Sequence, residues 1–222
     1  MTAKVVNAFK SDGWHDFRKS LKFALYASTH PFDGFWDLTH EKRGSMAAAH
    51  FIVAATVIVE IMRLMLSSFQ FVLVHMEYYN VVITIMQILL PLFLWTVANW
   101  SLTTLMDGKG RLGDIYMATA YALTPFVIIQ IILIPLSHIL TFQEGAIYWF
   151  LDSFSIIWFV GLLISGMMMI HDYTLSKTLF SSLLTIVAIG VMVFIFVMFF
   201  SVISDGIAYF ISMFREIAFR IM

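Results

Sequence analysis

Cysteine is absent from all 222 residues, which excludes disulfides, thiolate metal sites and cysteine nucleophiles. Charge is scarce as well: Asp, Glu, Lys and Arg together make up 12%, where a soluble domain carries about a quarter. The seven histidines, His15, His30, His40, His50, His75, His138 and His171, include no pair at the i, i+4 spacing of a helical metal site. No serine sits in a G-x-S-x-G elbow, and no carboxylate pair lies near a nucleophile. Neither an enzyme, a metal centre nor a cofactor is expected. What is abundant is apolar: 61% hydrophobic residues and a mean hydropathy of +0.90 mark an integral membrane protein. A net charge of −1 gives no reason to expect a nucleic-acid partner; in such a chain the positions of the charges matter more than their sum.

No cleavable signal is expected, since the first apolar run begins near Ser45. Five apolar spans follow, near 46–70, 80–106, 115–140, 148–171 and 177–204, each at or beyond the roughly 20 residues that cross about 30 Å of hydrocarbon. The expected fold is all-α, a five-helix transmembrane bundle with amphipathic helices at both ends. Three regions divide it: residues 1–45, an amphipathic and aromatic cytoplasmic segment; 46–204, the bundle; and 205–222, an amphipathic helix on the outer side. Outside the spans, ten Lys and Arg residues fall on one side and only Arg215 and Arg220 on the other. The ten are in the N-terminal segment (Lys4, Lys10, Arg18, Lys19, Lys22, Lys42, Arg43), the second loop (Lys109, Arg111) and the fourth (Lys177). The positive-inside bias predicts a cytoplasmic N-terminus, an outside C-terminus and a multi-pass protein of the cell membrane.

Within 1–45, Trp14, Phe17, Leu21 and Leu25 recur at helical spacing, with Lys10, Arg18, Lys19 and Lys22 elsewhere on the wheel. Such a helix lies either in the membrane interface or packed under the bundle. Phe35 and Trp36 follow in a Pro/Gly/Asp-rich stretch and suit the headgroup level. In the tail, Ile207, Phe210, Phe214 and Ile217 repeat the helical spacing. Small residues mark candidate close-packed faces at Ala118 and Ala122, Gly161 and Ser165, and Ser182, Thr185 and Ala188. Pro125 and Pro135 should bend or loosen the third span.

The second and third spans are joined by Asp107-Gly108-Lys109-Gly110-Arg111-Leu112-Gly113-Asp114. Its glycines suit left-handed positions at a helix C-terminus, and Asp114 is placed to cap the next helix. The stretch lacks the spacing and the Lys-Ser/Thr pair of a phosphate loop. Before it run Asn99, Ser101, Thr103, Thr104 and Asp107, either interhelical contacts or, with Lys109 and Arg111, a docking surface.

Ionisable groups inside a span are expensive and usually paired or functional. Glu60 and Arg63 stand three apart in the first span and can pair on one face. Depth counting at roughly 1.5 Å per residue puts Glu60, Gln87, Gln130 and Asp152, from four different spans, in one layer about 6–10 Å below the outer surface, with Arg63 just above it. Such a layer is either a hydrogen-bond network that fixes the bundle or an outward-facing pocket for a cation, a proton or a lipid headgroup.

Three blocks, HPFDGFWDLTHEKRGS (30–45), ANWSLTTLMDGKGRLGDIYMATAYALTP (98–125) and IHDYTLSKT (170–178), resemble the bacterial branch of the Yip family, five-span membrane proteins named after Ypt/Rab-interacting proteins. The resemblance implies a five-span bundle with a cytoplasmic N-terminus. Eukaryotic relatives bind small GTPases in vesicle traffic. This chain has Asp37-Leu38-Thr39 where those relatives carry a DLYGP-type motif, so a small GTPase is not the expected partner.

Two functions are compatible with these residues. The first is a non-enzymatic scaffold or accessory subunit that binds other integral membrane proteins through Trp14, Phe17, Leu21, Phe35, Trp36, Asn99, Asp107, Lys109 and Arg111. The second is a small transporter or conduit built on the polar layer.

Overall fold

The computed structural model describes residues 11–72 and 79–221. Lys4, Lys10 and His75, and the side chains of Trp14, Ile217 and Arg220, lie outside what is described. The chain is all-helical among the described residues, and five segments are long and apolar enough to cross a membrane. In order the helices are α1 (Ser11–Thr29), α2 (Pro31–His40), α3 (Met46–Leu66), α4 (Val81–Leu105), α5 (Leu112–Ala122), α6 (Thr124–Ile139), α7 (Gly145–His171) and α8 (Leu175–Ile221). The spans are α3, α4, α5 with α6, α7, and α8.

The third span divides at Leu123, two residues before Pro125. Proline has no N–H to give Tyr121, four residues back, and disfavours helical geometry in the residue before it. The Thr124 hydroxyl donates to the Tyr121 carbonyl at 2.7 Å, so the freed acceptor is satisfied inside the bundle. Pro135 stays within α6, as does Pro91 within α4.

α1 and α2 form a helical hairpin seated against the bundle, not a segment apart from it. α1 packs on α2, α3, α5 and α6, and α2 packs on α7. Pro31 opens α2, and Gly34 lets the two helices meet: a Cβ there would stand 2.5 Å from the Ala27 Cα. The Trp158 indole donates to the Ser28 carbonyl at 3.2 Å. Trp158 is thirteen residues, about 20 Å, from the C-terminal end of α7, so the hairpin tip reaches the middle of that helix. Of the two placements open to the amphipathic N-terminal helix, packing under and into the bundle is the one found. The apolar stripe has a reason to go there: Phe17, Leu21 and Phe23 cover a core made by Phe35, Leu38, Ala49, Ala118, Ala122 and Met167.

Helix α8 departs from expectation. Instead of ending at 204 with a separate tail helix, it runs unbroken for 47 residues. Asp205-Gly206 does not break it, because one glycine costs a helix only about 1 kcal/mol and the periodic apolar pattern continues beyond. α8 packs chiefly on α4 and α7, and its most apolar eighteen-residue stretch has no buried residue.

Small residues pack tightly at some expected places. Ala118, Ala122 and Thr185 are buried, but an added Cβ at Gly161 would meet nothing within 4 Å. The close approach on α7 is five residues further on, at Gly166, where an added Cβ would stand 3.3 Å from Phe35 and 3.4 Å from Ala118.

Candidate functional site

Glu60 and Arg63 on α3, Gln87 on α4, Gln130 on α6 and Asp152 on α7 line one half-open cavity of about 240 Å³, together with Thr84 and Ile156. Residues far apart in sequence therefore meet in one cavity. Arg63 clasps Glu60 with two bonds, Nε to Oε2 at 3.0 Å and Nη2 to Oε1 at 2.7 Å. Asp152 sits two turns into α7, since that helix starts at Gly145, so its carboxylate is not held by the first turn. It accepts instead from Gln130 Nε2 at 2.7 Å, and the same nitrogen lies 3.3 Å from Ser155 Oγ.

That bond fixes the Gln130 amide, because an oxygen turned toward the carboxylate would repel it. The Gln130 side chain is 1% exposed, yet its Oε1 has no hydrogen-bond partner. Thr84 and Ser155 entered this site without a signal in the sequence beyond their spacing: each stands three residues from a polar neighbour, Gln87 or Asp152, on the same helix face.

A second polar cluster closes the end of the bundle at the Asp107–Asp114 turn. Gly110 N–H donates to His171 Nδ1 at 3.2 Å, which makes Nδ1 an acceptor and leaves the proton on Nε2. Nε2 therefore donates to Asn99 Oδ1 at 3.0 Å, Asn99 Nδ2 donates to Thr185 Oγ1 at 3.2 Å, and Thr185 donates to the Ser181 carbonyl at 2.8 Å. One directed chain of bonds thus ties the Asp107–Asp114 turn to α7, α4 and α8. Tyr173 and Lys177 both donate to the Met106 carbonyl, at 2.7 and 2.9 Å, and finish the C-terminus of α4. Burial, and then the nearby Asp107, push the Tyr173 hydroxyl above the ordinary tyrosine pKa, which keeps it a donor.

The glycines of this turn serve space, not backbone sign. None has positive φ; the left-handed residues are Asp107, Asp172 and Lys42. A Cβ at Gly110 would stand 2.4 Å from Ile170 Cγ2 and 2.6 Å from His171 Cε1, and one at Gly108 would stand 2.8 Å from His171 Nδ1. Asp114 caps from the third position of α5, accepting from Arg111 N at 3.3 Å.

The residues expected to dock partners separate by exposure. Phe35 and Asn99 are fully buried, so neither presents a surface: Phe35 fills the space beside Gly166, and Asn99 joins three helices. Phe17 and Leu21 are half-buried on the core, and Phe17 meets Phe51 edge to face at 5.5 Å. Trp36 is exposed and stacked on His40, and Asp107, Lys109 and Arg111 are exposed, Lys109 in an ion pair with Asp172 at 2.7 Å. His171 went unrecognised as an interior partner in the sequence, where only its place beside Asp172 at a helix end set it apart. Among the described residues no cluster of three His, Asp or Glu side chains could hold a metal ion.

No curated protein and no solved structure matched the chain in comparison. The model of one family, described as the Yip1 domain, matches residues 13–199, from the first helix of the hairpin through the bundle and into α8. Five apolar spans and this match over most of the length give one conclusion: the chain is a multi-pass membrane protein belonging to the Yip1 domain family.

Proposed function

We propose that this protein is a non-enzymatic scaffold or accessory subunit that binds another integral membrane protein, chiefly through α8. One observation carries this reading. A helix of 47 residues is about 70 Å long, more than twice the roughly 30 Å of hydrocarbon it has to cross. Tilt alone would have to reach about 65° to bury that length, against the 0–40° of ordinary spans. Its distal part carries large exposed apolar side chains: Phe196, Phe199, Phe210 and Phe214 are each about 60% exposed. Lipid covers the part within the bilayer, and the remainder calls for protein.

The orientation follows from the basic residues: N-terminal hairpin and Lys109 turn inside, distal α8 outside. The partner is therefore a membrane protein with an apolar groove that continues past its outer membrane face. Against the second reading, a transporter or conduit, stands the cavity inward of the polar site, which is lined almost wholly by apolar side chains and offers no path to an ion.

A photoreactive residue at Phe210, activated in native membranes, tests the proposal. One discrete protein adduct, lost on Phe199→Arg, is the expected result. Adducts to lipid alone would overturn it, because they would mean that the helix bends at Gly206 and lies in the outer interface.

A further inference from the structure

We propose that the bundle holds a site for a single amphiphile with a cationic amine head, of the class of a primary-amine lipid of the outer leaflet. This goes beyond the partner reading and stands independently of it.

The polar cavity abuts another across its floor. Ile88, Phe126 and Ile156 line it and also line a second cavity of about 420 Å³, whose wall is otherwise almost free of polar atoms. The second cavity alone is within the roughly 300–1,000 Å³ of small-molecule sites. In all four contributing spans it lies on the inner side of the first. Thr56 stands one turn inward of Glu60 on α3, Leu92 inward of Gln87 on α4, Leu123 inward of Gln130 across the kink, and Phe159 inward of Asp152 on α7. With the outer side up, a polar chamber sits over an apolar one, and the apolar one occupies the middle of the bilayer. That is the polarity of a lipid in the outer leaflet, head high and chain deep.

The polar chamber selects the sign of the head. Glu60 and Arg63 cancel, and Asp152 leaves a formal charge of −1. Asp152 keeps a second carboxylate oxygen outside the Gln130 bond and the buried Gln130 Oε1 has no donor, while Arg63 Nη1 and the Gln87 amide bring donors of their own to the same chamber. A buried carbonyl without a donor costs free energy, and a primary ammonium supplies three N–H donors and the balancing charge at once. A choline head offers charge without donors and leaves Oε1 unsatisfied. An anionic head adds to the negative charge. Ile189 is the α8 residue that lines the inner chamber, so a chain entering between α4 and α7 would pass beside α8.

The full chain, purified in detergent, is to be mixed in turn with lysophosphatidylethanolamine, lysophosphatidylcholine, lysophosphatidylglycerol and free ethanolamine. Bound copies are counted by native mass spectrometry, and stability is followed by thermal unfolding. The expected result is one bound lysophosphatidylethanolamine per chain, at least tenfold preferred over the other two lipids, with a rise in unfolding temperature that free ethanolamine does not give. Asp152→Asn, which keeps the Gln130 bond but removes the charge, should abolish the preference. Leu163→Trp, which fills the inner chamber, should reduce binding of every chain-bearing probe. Equal retention of all three lipids, or an unchanged preference in Asp152→Asn, would overturn the proposal and leave the polar layer as a structural network. Equal stabilisation by free ethanolamine would overturn the amphiphile and leave only an amine site. A variant that unfolds outright is replaced by Glu60→Gln, which brings the chamber to formal neutrality; the amine preference should then weaken, and an unchanged preference counts against the site.

Discussion

At Gly110 the constraint is room. Its backbone angles would suit any residue, yet a methyl group there would overlap Ile170 and His171, and its N–H is the donor that orders the His171 ring. Gly110→Ala should therefore cost about 1–3 kcal/mol, as overpacking does. Asn99→Leu removes both the acceptor for His171 and the donor to Thr185, for about 1–2 kcal/mol, since hydrogen bonds between membrane helices are individually modest. Because the two residues act on one chain of bonds, the double variant should lose less than the sum of the single losses, which thermal unfolding in detergent measures directly. Additive losses would show that the turn and Asn99 are independent. The sequence displayed Asn99 as polar and near an inner helix end; its burial was not legible, because exposure is decided by His171 and Thr185, 72 and 86 residues away.

Among the elements, spans and hairpin differ in how openly the sequence announces them. A run of about 20 apolar residues has one physical meaning in a membrane, so α3, α4 and α7 begin and end within a few residues of where composition puts them. The α1–α2 hairpin has no such run. Its stripe of Phe17, Leu21 and Leu25 suits lipid and protein alike, and only the complementary hollow beside Ala118 and Gly166 settles the choice. Gly34 is the point on which the hairpin turns. Gly34→Val would force its side chain into the Ala27 backbone and push α2 off α7, so Phe35 should lose its packing on Gly166. Expected are faster proteolysis within residues 11–40 and a loss of about 1–3 kcal/mol, with the five spans intact. Unchanged protection of that segment would mean that α1 and α2 do not depend on their close contact. The end of α8 was misread for a related reason: Asp205-Gly206 looks like punctuation, but a helix interior tolerates it.

For the whole molecule, the polar layer shows what residue counting can reach. Fixed rise per residue and fixed bilayer thickness place Glu60, Gln87, Gln130 and Asp152 at one depth, and the cavity that joins them shows that they also share one side of their helices. Rotation about each helix axis is what counting omits, and it is set by packing against neighbours. The apolar chamber beneath was invisible for that reason, since it is made of faces rather than depths. Depth also underlies the central claim, that α8 enters from the same side as the Lys109 turn and carries its apolar surface out beyond the opposite face. The absence of native cysteine makes this directly measurable. Lys109→Cys and Ser212→Cys, each alone in the chain, are exposed to a membrane-impermeant maleimide from either side of native membranes. The account predicts that Lys109→Cys is labelled only from the cytoplasmic side and Ser212→Cys only from the outside. Labelling of both from one side, or of Ser212→Cys from neither, would contradict it.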